Sequence, residues 1–164
     1  MTRVLGIDPG KDGAAVLLDG RLVIASVRTR DLIGKADWHA GYGGVTAWLR
    51  ATHAEHRIGL AVLELHAGRP GEGGGSARTI GVGWGIWLGA LSALEIPVIT
   101  PAAARWTRTM LVDIGGEGKE RAIAVARPII DLTPGRRRKP HDGLADAVCL
   151  ALYGQTHPLA RVAV

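Results

Sequence analysis

A chain of 164 residues, 47% hydrophobic and 21% charged, is long enough to bury a core in one compact domain and too apolar to stay disordered. Its net charge of +5 and pI near 10.0 suit a polyanionic partner, or a genome-wide leaning toward Arg, Ala and Gly. One cysteine excludes an internal disulfide framework, no stretch is long enough to span a membrane, and no basic-then-apolar leader opens the chain, so a cytoplasmic protein is expected.

Residues 3–8 (RVLGID) are apolar on both sides and read as a central strand. Pro9, Gly10 and Gly13 form a turn into a second strand, AAVLLD. Asp19-Gly20 is a hairpin signal before a third strand, RLVIASV. Three antiparallel strands are therefore expected in the first thirty residues. A helix follows over roughly 41–55, where Tyr42, Val45, Trp48 and Leu49 recur at three- and four-residue steps. Arg57 to Leu65 reads as a buried strand parallel to the first, because a helix precedes it.

The run HAGRPGEGGGS is too glycine-rich for regular structure and is expected to be a mobile loop. A helix then starts near Ser76 and runs to Leu94. Gly81, Gly85 and Gly89 repeat along it beside Trp84, Trp87, Leu88 and Leu91, a pattern suited to close helix packing within or between subunits. EIPVIT reads as a short last strand, and Thr100-Pro101 as an N-cap and first helical residue. KERAIAVARPII is a helix halted by Pro128, PGRRRKP an exposed basic loop, and residues 141–153 the final helix. The tail from Gly154 is expected to fray. One domain over 1–154 and a tail over 155–164 result, with neither repeats nor a linker.

Four acids occupy unusual places. Asp8 closes the first strand, Glu64 closes LAVL, and Asp142 and Asp146 are spaced i, i+4 in HDGLADAV, on one side of a helix. Acids seldom end buried apolar runs, and several that converge raise one another's pKa. A hard divalent cation removes that conflict, and Mg²⁺ prefers carboxylate oxygen. A metal-dependent enzyme acting on phosphodiesters is the first reading. Each acid also has a plainer role. Asp8 suits an Asx turn before Pro9-Gly10, Glu64 a surface position at a strand end, and Asp142 the first turn of a helix. Asp146 lies within an apolar helix face. His141, just before Asp142, suits either a phosphate or metal-bound water, or a helix cap. Lys119 follows a glycine run and opens a helix, a good place to meet a phosphate. Cys149 in AVCLAL reads as a core residue.

GIDPG with Asp8, the strand-ending Glu64, and HDGLADAVCLALYG with Asp142 and Asp146 together resemble the RuvC-type Holliday junction resolvases of the RNase H-like superfamily, in particular the phage-encoded branch. The resemblance covers about residues 3–154. It implies an α/β fold with a mixed five-stranded sheet, three antiparallel strands then parallel βα units, flanked by helices. It also implies a homodimer that makes paired symmetric nicks in a four-way DNA junction, inside the host cell if phage-encoded. Two Mg²⁺ ions per active site, with Mn²⁺ as a substitute, would be bound by Asp8, Glu64, Asp142 and Asp146. DNA contact by Lys119 and a basic role for Arg108, shared by Arg105, are implied as well. Arg69 and Arg78 flank the glycine run and suit the junction centre. Arg136, Arg137, Arg138 and Lys139 suit either a duplex arm or a solvated loop. The bacterial members' aromatic wedge falls here on Ala67, and the chain has no Phe.

Other readings share some of these residues. GIDPG also resembles the first phosphate loop of actin-like ATPases and sugar kinases, but those proteins are longer and need a second phosphate loop and an adenosine motif that this sequence lacks. A related nuclease could act on flaps, branched replication DNA or RNA–DNA hybrids. A non-catalytic junction-binding protein would need the basic surface but not four acids.

Overall fold

The structure, a computed structural model, describes residues 2–34, 38–66, 73–134 and 139–162. The strands are β1 (Val4–Asp8), β2 (Ala14–Asp19), β3 (Leu22–Arg28), β4 (Leu60–Leu63) and β5 (Val98–Ile99). They form one sheet in the order β3-β2-β1-β4-β5. β1 to β3 are antiparallel, and β4 and β5 run parallel to β1. The helices are α1 (Thr29–Ile33), α2 (Trp38–His56), α3 (Gly74–Ala93), α4 (Ala103–Met110), α5 (Lys119–Ala126), α6 (Asp142–Thr156) and α7 (Leu159–Val162). The mixed five-stranded sheet flanked by helices is the expected architecture.

Helices cover both faces, so the central strands are continuous apolar runs rather than alternating ones. Leu5, Ile7, Ala15, Leu17, Ala61 and Leu63 pack under α2 and α3, against Val45, Leu49, Trp87 and Leu91. Trp48 meets Trp87 edge to face, with ring centroids 6.3 Å apart. Val4, Val16, Leu18, Leu60 and Val62 point to the opposite face, under α4, α5 and α6. Cys149 is buried there as a core residue, and burial pushes its thiol up to about 12. No helix among the described residues is long and apolar enough to cross a membrane.

Several boundaries differ from the sequence reading, each for a local reason. The strand expected from Arg57 is regular only from Leu60. Arg57 ends α2 with a positive φ of 50°, and its N–H donates to His53 O (2.9 Å). Tyr42, placed on the apolar stripe of α2, is 53% exposed. Thr100-Pro101 does not start a helix. Leu65 N–H donates to Pro101 O (2.9 Å) and Leu65 bridges Ala102 in parallel, so the chain stays extended and α4 begins at Ala103. α6 does not stop at residue 153. It runs to Thr156, Gln155 Nε2 donates to Gly20 O (2.7 Å), and α7 brings Ala160 onto the core, so residues 155–162 do not fray. The glycine run is outside the described residues from 67 to 72. Its last glycines lead into α3, with Gly73 as N-cap.

Candidate active site

Strand parity brings two acids to one place. Val4 and Gly6 share a face of β1 with Asp8, and Leu60 and Val62 share a face of β4 with Glu64. Both faces are those under α6. Ile7 lies opposite Leu63 in parallel register, and Glu64 N–H donates to Ile7 O (3.1 Å). Asp8 and Glu64 therefore leave the same edge of the sheet side by side.

The other two acids arrive on α6, which lies almost in backbone contact with the sheet. A Cβ at Gly6 would sit 2.5 Å from Ala151 N and would overlap Ala147 O outright. A Cβ at Gly143 would sit 2.7 Å from both Asp12 O and Gly13 Cα, and one at Gly154 2.7 Å from Val4 Cγ1. Glycine at these positions is what lets helix and sheet approach so closely. Asp146, next to Ala147 on that contact line, is carried down beside Asp8 and Glu64, and Asp142, next to Gly143, lies near Asp146.

The charges register the crowding. Burial first, then the nearby Glu64 and Asp12, push Asp8 up to about 6, although the Gly10 N–H it accepts (3.0 Å) opposes the rise. That Gly10 bond is the Asx turn foreseen before Pro9, so Asp8 serves both as turn residue and as site carboxylate. Burial, then Asp8, Glu64 and Asp142, push Asp146 up to about 7. Lys119, the first residue of α5, ion-pairs with Asp142, and this bond raises the ammonium's pKa. Trp106 of α4 donates its indole N–H to Glu64 Oε1 (2.9 Å).

A divalent cation fits this set. The donors are all carboxylate oxygens, they come from three elements, and burial with mutual repulsion raises Asp8 to about 6 and Asp146 to about 7, a strain that a cation would relieve. Among the described residues no three such side chains close into a finished cage. Glu64 and Asp142 are each engaged by another group, Trp106 and Lys119.

No protein-family model matches the sequence, and no curated protein matches it either. Solved structures do. RuvC of Thermus thermophilus in complex with a Holliday junction substrate superposes with a TM-score of 0.65 at 21% identity, over 93% of this chain and 92% of that one. A second Thermus thermophilus RuvC structure agrees equally, at 22% identity. The yeast mitochondrial Holliday junction resolvase superposes with a TM-score of 0.62 at 12% identity, over 93% of this chain and 77% of that one. This chain has the RuvC fold.

On the RuvC fold, the remaining sequence candidates separate. His141 is 6% exposed and caps α6, its Nδ1 accepting the Leu144 N–H (3.2 Å) while its own N–H donates to Leu132 O (2.7 Å). These bonds are those of the capping reading. Arg105 and Arg108 are exposed on α4, and Arg78 is exposed near the start of α3. Arg69, Arg136, Arg137, Arg138 and Ala67 lie outside the described residues. Asp12 pairs with Arg30, Asp19 with Arg3, and Asp131 accepts from Thr133 N–H and Oγ1, in keeping with turn and surface roles.

Two kinds of residue at the site have only a weak signature in the sequence. Trp106 stands between Arg105 and Arg108 as the one ring in AARWTRTM. Gly6 and Gly143 have no side chain to mark them. Their signal was a glycine inside a central strand and a second at the start of a helix, places where glycine otherwise weakens the element.

Proposed function

We propose that this chain is a divalent-metal-dependent endonuclease that resolves four-way DNA junctions as a homodimer, of the phage-encoded type and working inside the host cell. The observation that carries the reading is the convergence of Asp8, Glu64, Asp142 and Asp146 at one edge of a RuvC-fold sheet, with Lys119 reaching in from α5. These four carboxylates would hold Mg²⁺, or Mn²⁺ in its place, two ions per site, which would supply Lewis-acid activation of water and charge neutralisation at the leaving 3′ oxygen.

The chain's own residues do the rest. Asp8 is the central ligand, since it is buried, lies beside Glu64 and raises Asp146 of α6 in turn. Lys119 exchanges Asp142 for a phosphate oxygen when DNA arrives, which keeps a cation beside the scissile group. Arg105 and Arg108 on α4 and Arg78 on α3 hold phosphates along the strand, with Arg69 and Arg136–Arg138 extending that surface. Contacts of this kind position the DNA without reading its sequence. The two-fold symmetry of a homodimer matches that of the junction and sets the two nicks opposite one another.

The test incubates the protein with a synthetic four-way junction and with matched linear duplex, single strand, flap and RNA–DNA hybrid, with Mg²⁺ and with EDTA. Paired, symmetric nicks confined to the junction and abolished by EDTA are expected. Cleavage of flap or hybrid instead would keep the site and overturn the substrate. Tight junction binding without cleavage in Mg²⁺ or Mn²⁺ would identify a non-catalytic binder.

A further inference from the structure

We propose that Trp106 is a positioning residue for Glu64, fixing the carboxylate in the orientation that serves a bound cation; this rests on the metal-dependent reading above. Trp106 is 3% exposed and is the only buried residue of α4. Its Nε1 donates to Glu64 Oε1 at 2.9 Å, which leaves Oε2 as the oxygen the indole does not engage. The backbone of the same residue is held from the other side, where Glu64 N–H donates to Ile7 O. One residue on, Leu65 N–H donates to Pro101 O in the lead-in to α4. The end of β4 is thus fixed to β1 through Glu64 and to the lead-in of α4 through Leu65, one bond on each side of the carboxylate.

The pairing is not explained by the indole's need for an acceptor. Trp84 and Trp87 bury their Nε1 atoms with no hydrogen-bond partner among the described residues, so burial of an indole here does not by itself dictate an acceptor. Nor does it resemble the Lys119–Asp142 pair. An indole donor is neutral, so it orients Glu64 without cancelling the negative charge a cation needs. Groups that hold a ligand in this manner commonly set metal affinity, and their loss typically costs about 10–100-fold.

The measurement is Mn²⁺ affinity by electron paramagnetic resonance, without DNA, on wild type, Trp106→Phe, Glu64→Leu and the double variant. Circular dichroism confirms that each is folded. Trp106→Phe keeps an aromatic ring in the core and removes the donor together with part of the ring volume, and the Glu64→Leu background separates the two effects. Its Mn²⁺ affinity should fall about tenfold. In the Glu64→Leu background the same change should do nothing, because Trp106 acts through Glu64. Wild-type affinity in Trp106→Phe, or an equal loss in both backgrounds, would overturn the positioning role and leave the nuclease reading standing. A wild-type chain that binds no Mn²⁺ would overturn both. A second readout needs no change at residue 106. Mg²⁺ should shift the Trp106 indole N–H resonance in the wild-type spectrum more than those of Trp84 and Trp87, and an unmoved resonance would also overturn the role.

Discussion

Asp8 and Asp146 are held at a disadvantage in the metal-free protein, and the cost is visible in proton binding. An unfolded aspartate titrates near 3.8, whereas these two titrate near 6 and 7 in the fold. Between about pH 4 and pH 7 the folded chain therefore keeps protons that the unfolded chain has released. Stability of the metal-free protein should fall as pH rises through that window. A divalent cation competes with those protons, so the rise in Tm caused by Mn²⁺ should grow over the same range and be small near pH 5. Thermal scans at several pH values, with Mn²⁺ and with EDTA, check both slopes. A metal-induced increment that does not vary with pH would contradict the site as drawn. Asp8→Asn keeps the side-chain oxygen for the Gly10 N–H and removes the charge. Junction cleavage should drop by at least about a thousandfold, as expected for loss of a central metal ligand. Junction affinity should change by less than about threefold, since phosphates are held elsewhere.

At the level of the elements, the site depends on how closely α6 approaches β1. Gly6 faces Ala147 O and Ala151 N, backbone atoms of a helix that cannot yield as a flexible side chain would. Gly6→Ala should force helix and sheet apart and cost about 3 kcal/mol, the upper range for overpacking. That is a Tm decrease of roughly 6–12 °C for a chain of this size. The same shift moves Asp146 away from Asp8, so cleavage should fall even at temperatures where the variant is folded. Gly6→Ala with normal Tm and activity would mean the approach is looser than described. α4 depends on its neighbours in a similar way. Thr100 and Pro101 have the chemistry of a helix start, yet pairing of Leu65 with the Pro101–Ala102 segment keeps them extended.

Across the whole molecule, the glycine repeat of α3 faces outward. A Cβ at Gly81, Gly85 or Gly89 would meet nothing within 4 Å, while Trp87 and Leu91 on the other side of the helix are buried in the core. Close packing of this stripe within the chain is thus ruled out among the described residues. The between-subunit half of that expectation is the one open to test, since the proposed homodimer needs an exposed face of its own. Gly85→Leu places a bulky side chain in the middle of the stripe without disturbing any intrachain contact. It should shift the dimer toward monomer in sedimentation-velocity ultracentrifugation, with Tm little changed; a dimer of unaltered strength would place the interface elsewhere.

Strand order, the four acids and the C-terminal helix could be read from the chain because they rest on short-range regularities. Buried strands are apolar runs of a few residues, Asp19-Gly20 dictates its own hairpin, and the i, i+4 spacing of Asp142 and Asp146 places both on one side of a helix. That Asp8 and Glu64 share a face follows only from the register that pairs Ile7 with Leu63. The Trp106–Glu64 bond could not be read, because it joins residues 42 positions apart and depends on where α4 settles. The Lys119–Asp142 pair spans 23 residues in the same way. The true start of α4, the continuation of α6 past Gly154 and the outward direction of the α3 glycines each follow from contacts between elements distant in sequence. Local propensity speaks only for a residue's immediate neighbours, whereas side-chain partners, helix ends and the burial of a face are decided by what the packed chain brings against them.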